Sequence, residues 1–169
     1  MSDDLAGWAF VALGSNEGDS RRALAAAIEF LEQLSDFPIR KSSLWETAPV
    51  DCPSSSRYFL NAVVALRPRA GETPESLFRQ LLQHECKAGR SPANGANAPR
   101  SIDLDLIAFG SERSHTTALT LPHPRAAQRR FVLEPLAELA PEFVLPGESR
   151  NVMQLLAAVR PSQTARLVP

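Results

Sequence analysis

The stretch Pro99-Arg100-Ser101-Ile102-Asp103-Leu104-Asp105-Leu106-Ile107 constrains this chain more than any other, because polar and apolar residues alternate one for one from Ser101 to Leu106. Strand side chains alternate faces with period two, so Ile102, Leu104 and Leu106 can enter a core while Ser101, Asp103 and Asp105 project together from the opposite side. Two carboxylates on one face repel and raise one pKa unless a cation lies between them. Hard oxygen ligands favour Mg²⁺, which takes one or two protein carboxylates and completes its shell with substrate phosphates. Arg100, just upstream, adds a planar guanidinium that matches phosphate oxygens two at a time. A phosphate-handling site is one reading of this run. An amphipathic strand whose acids are merely solvated is the other, and the triplet alone does not separate them.

A chain of 169 residues fits one domain and can bury a real core. Eighteen Lys and Arg against 19 Asp and Glu leave a formal charge of -1, which gives no global field for steering nucleic acid or anionic lipid. Any anion must be captured locally, and neither a nucleic acid nor a membrane is expected as a partner. Cys52 and Cys86 lie far apart with no zinc-type spacing around them, so neither a disulfide framework nor a metal clip is indicated. The start is acidic and lacks an apolar h-region, and no apolar run approaches the ~20 residues of a spanning helix. A cytoplasmic protein is expected.

In chain order, Trp8 to Leu13 is an apolar strand stopped by Gly14-Ser15-Asn16. Asp19 or Ser20 can cap a helix that places Leu24, Ile28, Leu31 and Leu34 on one face. Gly14 and Gly18 match neither a phosphate loop nor the dinucleotide fingerprint and are read as turn residues. A second strand is expected over Ile39 to Glu46, and a third, with the strongest β signal, over Tyr58 to Leu66. In it Phe59 and Asn61 share a face. The amide either reads a flat heterocycle stacked on Phe59 or bonds to neighbouring backbone.

Thr73-Pro74-Glu75 starts a helix that runs through Leu77, Phe78, Leu81, Leu82 and Glu85 to Gly89. The segment from Arg90 to Arg100 has the composition of a mobile loop between two arginines, though Arg90 also suits the negative end of its helix. With the Asp-x-Asp strand as fourth, the order is βαββαβ. That is an α+β sandwich of ferredoxin-like type, an antiparallel sheet with helices on one face, followed by a C-terminal extension. In the extension, Leu119-Thr120-Leu121 reads as a short strand, 129–133 and 135–139 as two short helices, Phe143-Val144-Leu145 as a minor strand, and Asn151 as the cap of a last helix. His84 and His115 are read as surface residues; 111–118 and the tail after Arg160 carry no clear pattern.

Five motifs in order, Leu-Gly-Ser-Asn at 13–16, Phe-Leu-Asn-Ala at 59–62, the 99–107 run, Leu-Pro-His-Pro-Arg at 121–125 and Arg-Arg-Phe-Val-Leu-Glu-Pro-Leu at 129–136, resemble the 6-hydroxymethyl-7,8-dihydropterin pyrophosphokinase family. The resemblance covers about residues 8–147 and implies a single domain over 1–169, with a C-terminal helix and tail from about 151. It implies transfer of diphosphate from ATP to the pterin hydroxymethyl group in folate biosynthesis, releasing AMP. It places a pair of Mg²⁺ ions on Asp103 and Asp105, with Arg90 and Arg100 completing the catalytic set. ATP would meet Glu85, Arg90, Arg100, Ile107, His123 and Arg129, with Glu85 in a supporting position. The pterin would lie between Phe59 and Phe131, its edge read by Asn61 and by backbone near Thr47 and Val50, with Asn97 beside it.

Asn97-Ala98 stands where many members carry Trp-Gly, so an indole cover over the pterin is lost here, and the loop lacks extra basic residues between Arg90 and Arg100. The length leaves no room for the domains fused to this enzyme in some organisms, so a chain working alone, as a monomer, is expected. Two other functions remain on the same scaffold. A Mg²⁺-dependent nucleotidyltransferase would release pyrophosphate rather than AMP, and a silent pterin- or nucleotide-binding regulator would turn nothing over.

Overall fold

A computed structural model describes residues 5, 7–49, 57–89, 101–160 and 163–169. The elements are β1 (Ala9–Ser15), α1 (Ser20–Glu32), β2 (Arg40–Lys41), β3 (Trp45–Thr47), β4 (Phe59–Leu66), α2 (Pro74–Lys87), β5 (Asp103–Phe109), β6 (Ser114–His115), β7 (Thr120–Leu121), α3 (Arg130–Leu139), α4 (Val152–Ala158) and β8 (Ala165–Leu167). The main sheet runs β5-β1-β4-β3-β8, with β2 also on β4, and every pairing in it is antiparallel. The βαββαβ order read from the sequence is therefore the fold, with β2 and β3 together filling the second strand's place.

Alternation along each strand feeds two separate cores. Val11, Leu13, Val64, Leu66, Leu104 and Leu106 pack with Leu24, Leu31, Leu77 and Leu81 of α1 and α2. Phe10, Ala12, Val63, Ala65, Ile107 and Ala108 pack with Val132, Leu133, Leu136, Val152 and Leu155 of α3 and α4. Helices thus cover both faces, not one: the C-terminal extension supplies the second layer. Among the described residues, no helix is long and apolar enough to cross a membrane.

The helix caps follow the sequence. The Asp19 carboxylate accepts the Arg22 amide at 3.1 Å, and Thr73 with Ser76, then Asn151 with Gln154, form reciprocal caps. Other expectations need correction. The strand expected over Ile39 to Glu46 breaks into β2 and β3, because Ser42 turns its hydroxyl to the Val63 amide (2.9 Å) while its own amide donates to the Val63 carbonyl (2.9 Å). The two short helices expected over 129–139 are one helix, α3, with Pro135 inside it. The missing donor is offset by burying Val132, Leu133 and Leu136, each contributing about 1.5–3 kcal/mol. The minor strand at 143–145 is a single bridge, Val144 to Asn151. His84 is no free surface residue: its ring stacks on Phe30, centroids 4.3 Å apart, joining α2 to α1. The short strand expected at 119–121 is β7, and the unread segments supply its hairpin partner β6 and the edge strand β8.

Candidate active site

β1 runs between β4 and β5, and its register sets Gly14 opposite Asn61 on one side and Asp103 on the other. Directly opposed residues share a face, so Asp103, Gly14 and Asn61 form one row across the sheet, and Asp105, Ala12 and Val63 the next. Beyond the second row a bulge after Leu106 lets both Ile107 and Ala108 enter the α3–α4 core. The α3–α4 core therefore fills one end of this face, and the acids and the amide lie toward the other. Gly14, read as a turn residue, is a strand residue here. Its φ is not left-handed, and a Cβ there would lie 3.2 Å from the Asn61 Oδ1 and 4.0 Å from the Phe59 ring.

Asn61 is 3% exposed. Its Nδ2 donates to the Thr47 hydroxyl at 2.7 Å and weakly to the Phe59 carbonyl at 3.5 Å. The choice left open by the sequence thus resolves on the donor side toward a side-chain partner, and Thr47 is drawn in with Asn61 and Phe59 by the pairing of β3 with β4.

β5 is an edge strand, so alternate backbone groups face away from the sheet and need partners elsewhere. Glu85 of α2, 1% exposed, accepts the Leu104 amide at 2.6 Å, between the two aspartates. The Ile107 carbonyl accepts the His123 amide at 2.9 Å. Ile107 itself is fully buried. Both residues thus hold the frame of the site. Asp103 and Asp105 are half-buried on the opposite face from Leu104. Two hard carboxylates suit a cation that draws the rest of its shell from water and phosphate. Among the described residues, no group of three or more His, Cys, Asp and Glu forms a complete metal cage.

The His123 Nε2 lies 3.9 Å from an Asp105 oxygen, while its Nδ1 accepts the Arg125 amide at 3.2 Å. The ring is therefore neutral with its proton on Nε2. Burial, then repulsion by Arg129 and Arg125, lowers its pKa to about 4 against an opposing pull from Asp103. That contact is between a carboxylate and a neutral ring, not an ion pair. Arg129 precedes α3 and lays its guanidinium 5.3 Å from the centroid of Phe131, a half-buried residue of the first turn. Val50, Arg90, Asn97 and Arg100 lie outside the described residues.

Two tethers hold α3 over this end of the sheet, and the sequence reading missed both. Glu138 accepts from the Trp45 indole through one oxygen and from the Ser43 amide at 3.0 Å through the other. Gln163 reaches from the tail to the first residue of α3 and to Gln128 just before it. The Ser-Ser-Leu-Trp run reads only as part of a strand, with nothing to point to Glu138, and a lone Gln in a Pro- and Ser-containing tail carries no signal at all.

Residues 10–141 match the family of 7,8-dihydro-6-hydroxymethylpterin-pyrophosphokinase (HPPK). Among relatives, the 2-amino-4-hydroxy-6-hydroxymethyldihydropteridine pyrophosphokinase of Synechocystis is 36% identical over 151 residues, 89% of this chain and 75% of its own length. The enzyme of the same name from Methylorubrum extorquens is 35% identical over 159 residues, 94% of this chain and 98% of its own. That of Bacillus subtilis is 37% identical over 147 residues, 86% of each. In three dimensions the chain superposes on an HPPK-DHPS crystallised with substrates, TM-score 0.67 at 13% identity, covering 89% of this chain and 43% of that one. A Plasmodium falciparum HPPK-DHPS variant gives a TM-score of 0.69 at 14% identity, covering 92% of this chain and 46% of that one. These two likenesses speak for the fold alone. The matched segment contains all ten described residues named for the site, from Thr47 to Phe131, and the chain belongs to the 7,8-dihydro-6-hydroxymethylpterin-pyrophosphokinase family.

Proposed function

We propose that the family's reaction takes place over the Asp103–Gly14–Asn61 row. By its family the chain is an ATP pyrophosphokinase of folate biosynthesis, moving diphosphate from ATP to 6-hydroxymethyl-7,8-dihydropterin. The observation that carries the assignment of residues is the row itself. A pair of carboxylates and a buried amide stand two strands apart on one face, about 10 Å at the usual strand spacing, with only a glycine between them. A flat heterocycle held at Asn61 can then extend its one-carbon arm over Gly14 toward a triphosphate held at Asp103 and Asp105.

The pterin lies between Phe59 and Phe131, its polar edge on Asn61, Thr47 and backbone near Val50, with Asn97 beside it. The ATP tail lies along β5, met by His123 and Arg129, and by the family resemblance Arg90 and Arg100 engage its phosphates. Asp103 and Asp105 would hold Mg²⁺, and the half-buried, all-oxygen pair fits that ion. Bound there, Mg²⁺ would neutralise triphosphate charge and orient the displacement. The hydroxymethyl oxygen attacks the β-phosphorus, the bond from that phosphorus to the α-β bridging oxygen breaks, and AMP leaves with the oxygen. The hydroxyl proton passes to water or a nearby carboxylate. A neutral His123 donates from Nε2 without adding a cation. Rate acceleration comes from positioning and charge stabilisation rather than from a covalent intermediate.

The chain acts as one domain over residues 1–169, as a monomer, in the cytoplasm. Incubation with ATP, Mg²⁺ and the reduced hydroxymethylpterin tests the reading. AMP and pterin diphosphate are expected in equal amounts; pyrophosphate release would mean nucleotidyl transfer, and binding without turnover a silent regulator.

A further inference from the structure

We infer that Gln163, in the C-terminal tail, is a positioning residue for ATP: its carboxamide brackets the backbone on both sides of Arg129 and so sets where that guanidinium lies. The inference rests on the reading that Arg129 meets the nucleotide. The Gln163 Oε1 accepts the Arg130 amide at 2.9 Å, and its Nε2 donates to the Gln128 carbonyl at 3.0 Å. Those two groups flank Arg129 directly. Arg129 occupies the N-cap of α3 with an extended backbone, φ -114 and ψ 110, and its side chain makes no capping bond. The first amide of α3 would otherwise join the orphan donors of the helix start. Gln163 satisfies it from 33 residues away.

A carboxamide presents one donor and one acceptor side by side, as a peptide group does, so it pairs with the 128–130 backbone as a short strand would. With that backbone fixed, the Cα–Cβ bond of Arg129 has one direction, and the guanidinium it leads to lies over Phe131 at 5.3 Å. The tail is itself indexed to the other side of the site. β8 pairs with β3 so that Ala165 stands opposite Thr47, the Val168 amide donates to the Leu44 carbonyl at 2.9 Å, and Arg166 pairs with Glu46. Gln163 lies two residues before Ala165. One segment therefore ties the strand bearing Thr47 to the turn bearing Arg129, and a slip of β8 by one residue would carry the bracket off its target.

The test is a double-mutant cycle read as equilibrium binding of α,β-methylene ATP, which cannot donate its diphosphate. Gln163→Ala is expected to weaken analogue binding about five- to tenfold, while pterin binding stays within about twofold. Gln163→Glu keeps the acceptor for the Arg130 amide but loses the donor to Gln128, and is expected to fall between the wild type and the Ala variant. It also serves if Gln163→Ala does not fold. In an Arg129→Ala background, the same change at Gln163 is expected to have no further effect on the analogue, whatever it does to Tm. Unchanged binding in the single variants overturns the inference, as does an equal loss with and without Arg129. If Arg129→Ala alone binds the analogue like the wild type, the assignment of Arg129 fails and the bracket's purpose fails with it. If Arg129→Ala is impaired and Gln163→Ala is not, the bracket alone is wrong.

Discussion

Gly14 and Asn61 stand directly opposite each other across the β1–β4 ladder, and a Cβ at Gly14 would lie 3.2 Å from the Asn61 Oδ1. Glycine inside a strand is unfavourable unless something needs its missing side chain. Here the backbone is not left-handed, so the need is for space, and the atoms that fill it belong to Asn61 and Phe59. Gly14→Ala should push the amide out of line with Thr47 and weaken pterin binding about tenfold, in the range set by small overpacking changes. Nucleotide binding should hold within about twofold. Calorimetric titration of each substrate checks the split; equal losses for both would mean that the sheet, not the slot, has moved.

Glu85 accepts the Leu104 amide at 2.6 Å from a position 1% exposed. Glu85→Ala leaves a buried donor on β5 without this acceptor, which costs about 1–3 kcal/mol and should lower Tm by roughly 3–10 °C for a domain of this size. Glu85→Gln retains an acceptor oxygen and should keep most of that stability. Thermal unfolding of the two variants distinguishes acceptor from charge: an equal fall in both would mean that the negative charge is what β5 requires.

Asp103 and Asp105 share a face that the rest of β5 does not contest until Ile107. If they hold the cation that neutralises the triphosphate, Asp103→Asn and Asp105→Asn should each lose about 10³-fold or more in turnover, with little change in Tm. The Mg²⁺ concentration needed for half-maximal rate should rise. AMP release measured across a Mg²⁺ series decides it, and near-normal rates in either variant would remove that residue from the cation site.

The parts legible in the sequence are those whose signal is local. β1, β4 and β5 announce themselves by alternation, Thr73 by its capping hydroxyl and the proline after it, and Asn151 by its capping side chain. Gly14 misled because Ser15 and Asn16 follow it, the usual company of a turn, although β1 is paired on both sides at Gly14 and with β4 through Ser15. β8 was invisible because three residues of tail have no pattern of their own: the open edge of β3 makes them a strand. Arg129 was readable only through motif likeness, and Gln163 not at all, since the bond between their segments spans the length of the extension. The second helical layer was misjudged for a related reason. Pro135 argues for a break in α3, and only the apolar face of the sheet beneath outweighs it.

His123 gives a prediction that depends on pH. Its pKa in the folded protein is about 4, lowered by burial and by Arg129 and Arg125, against an ordinary value near 6.5 for the unfolded chain. Between about 6.5 and 4 the unfolded state takes up a proton that the folded state refuses, so unfolding gains as pH falls and stability declines across that window. Above it, the contribution is fully present. His123→Asn should flatten this part of the stability profile, measured by denaturant unfolding from pH 7 to pH 4. Imidazole nitrogen shifts should show a neutral ring with its proton on Nε2 down to about pH 5. A ring that charges near pH 6.5 would show that the Nδ1 acceptor bond and the flanking guanidinia do not hold it neutral, and His123 would then approach ATP as a cation rather than as a neutral donor.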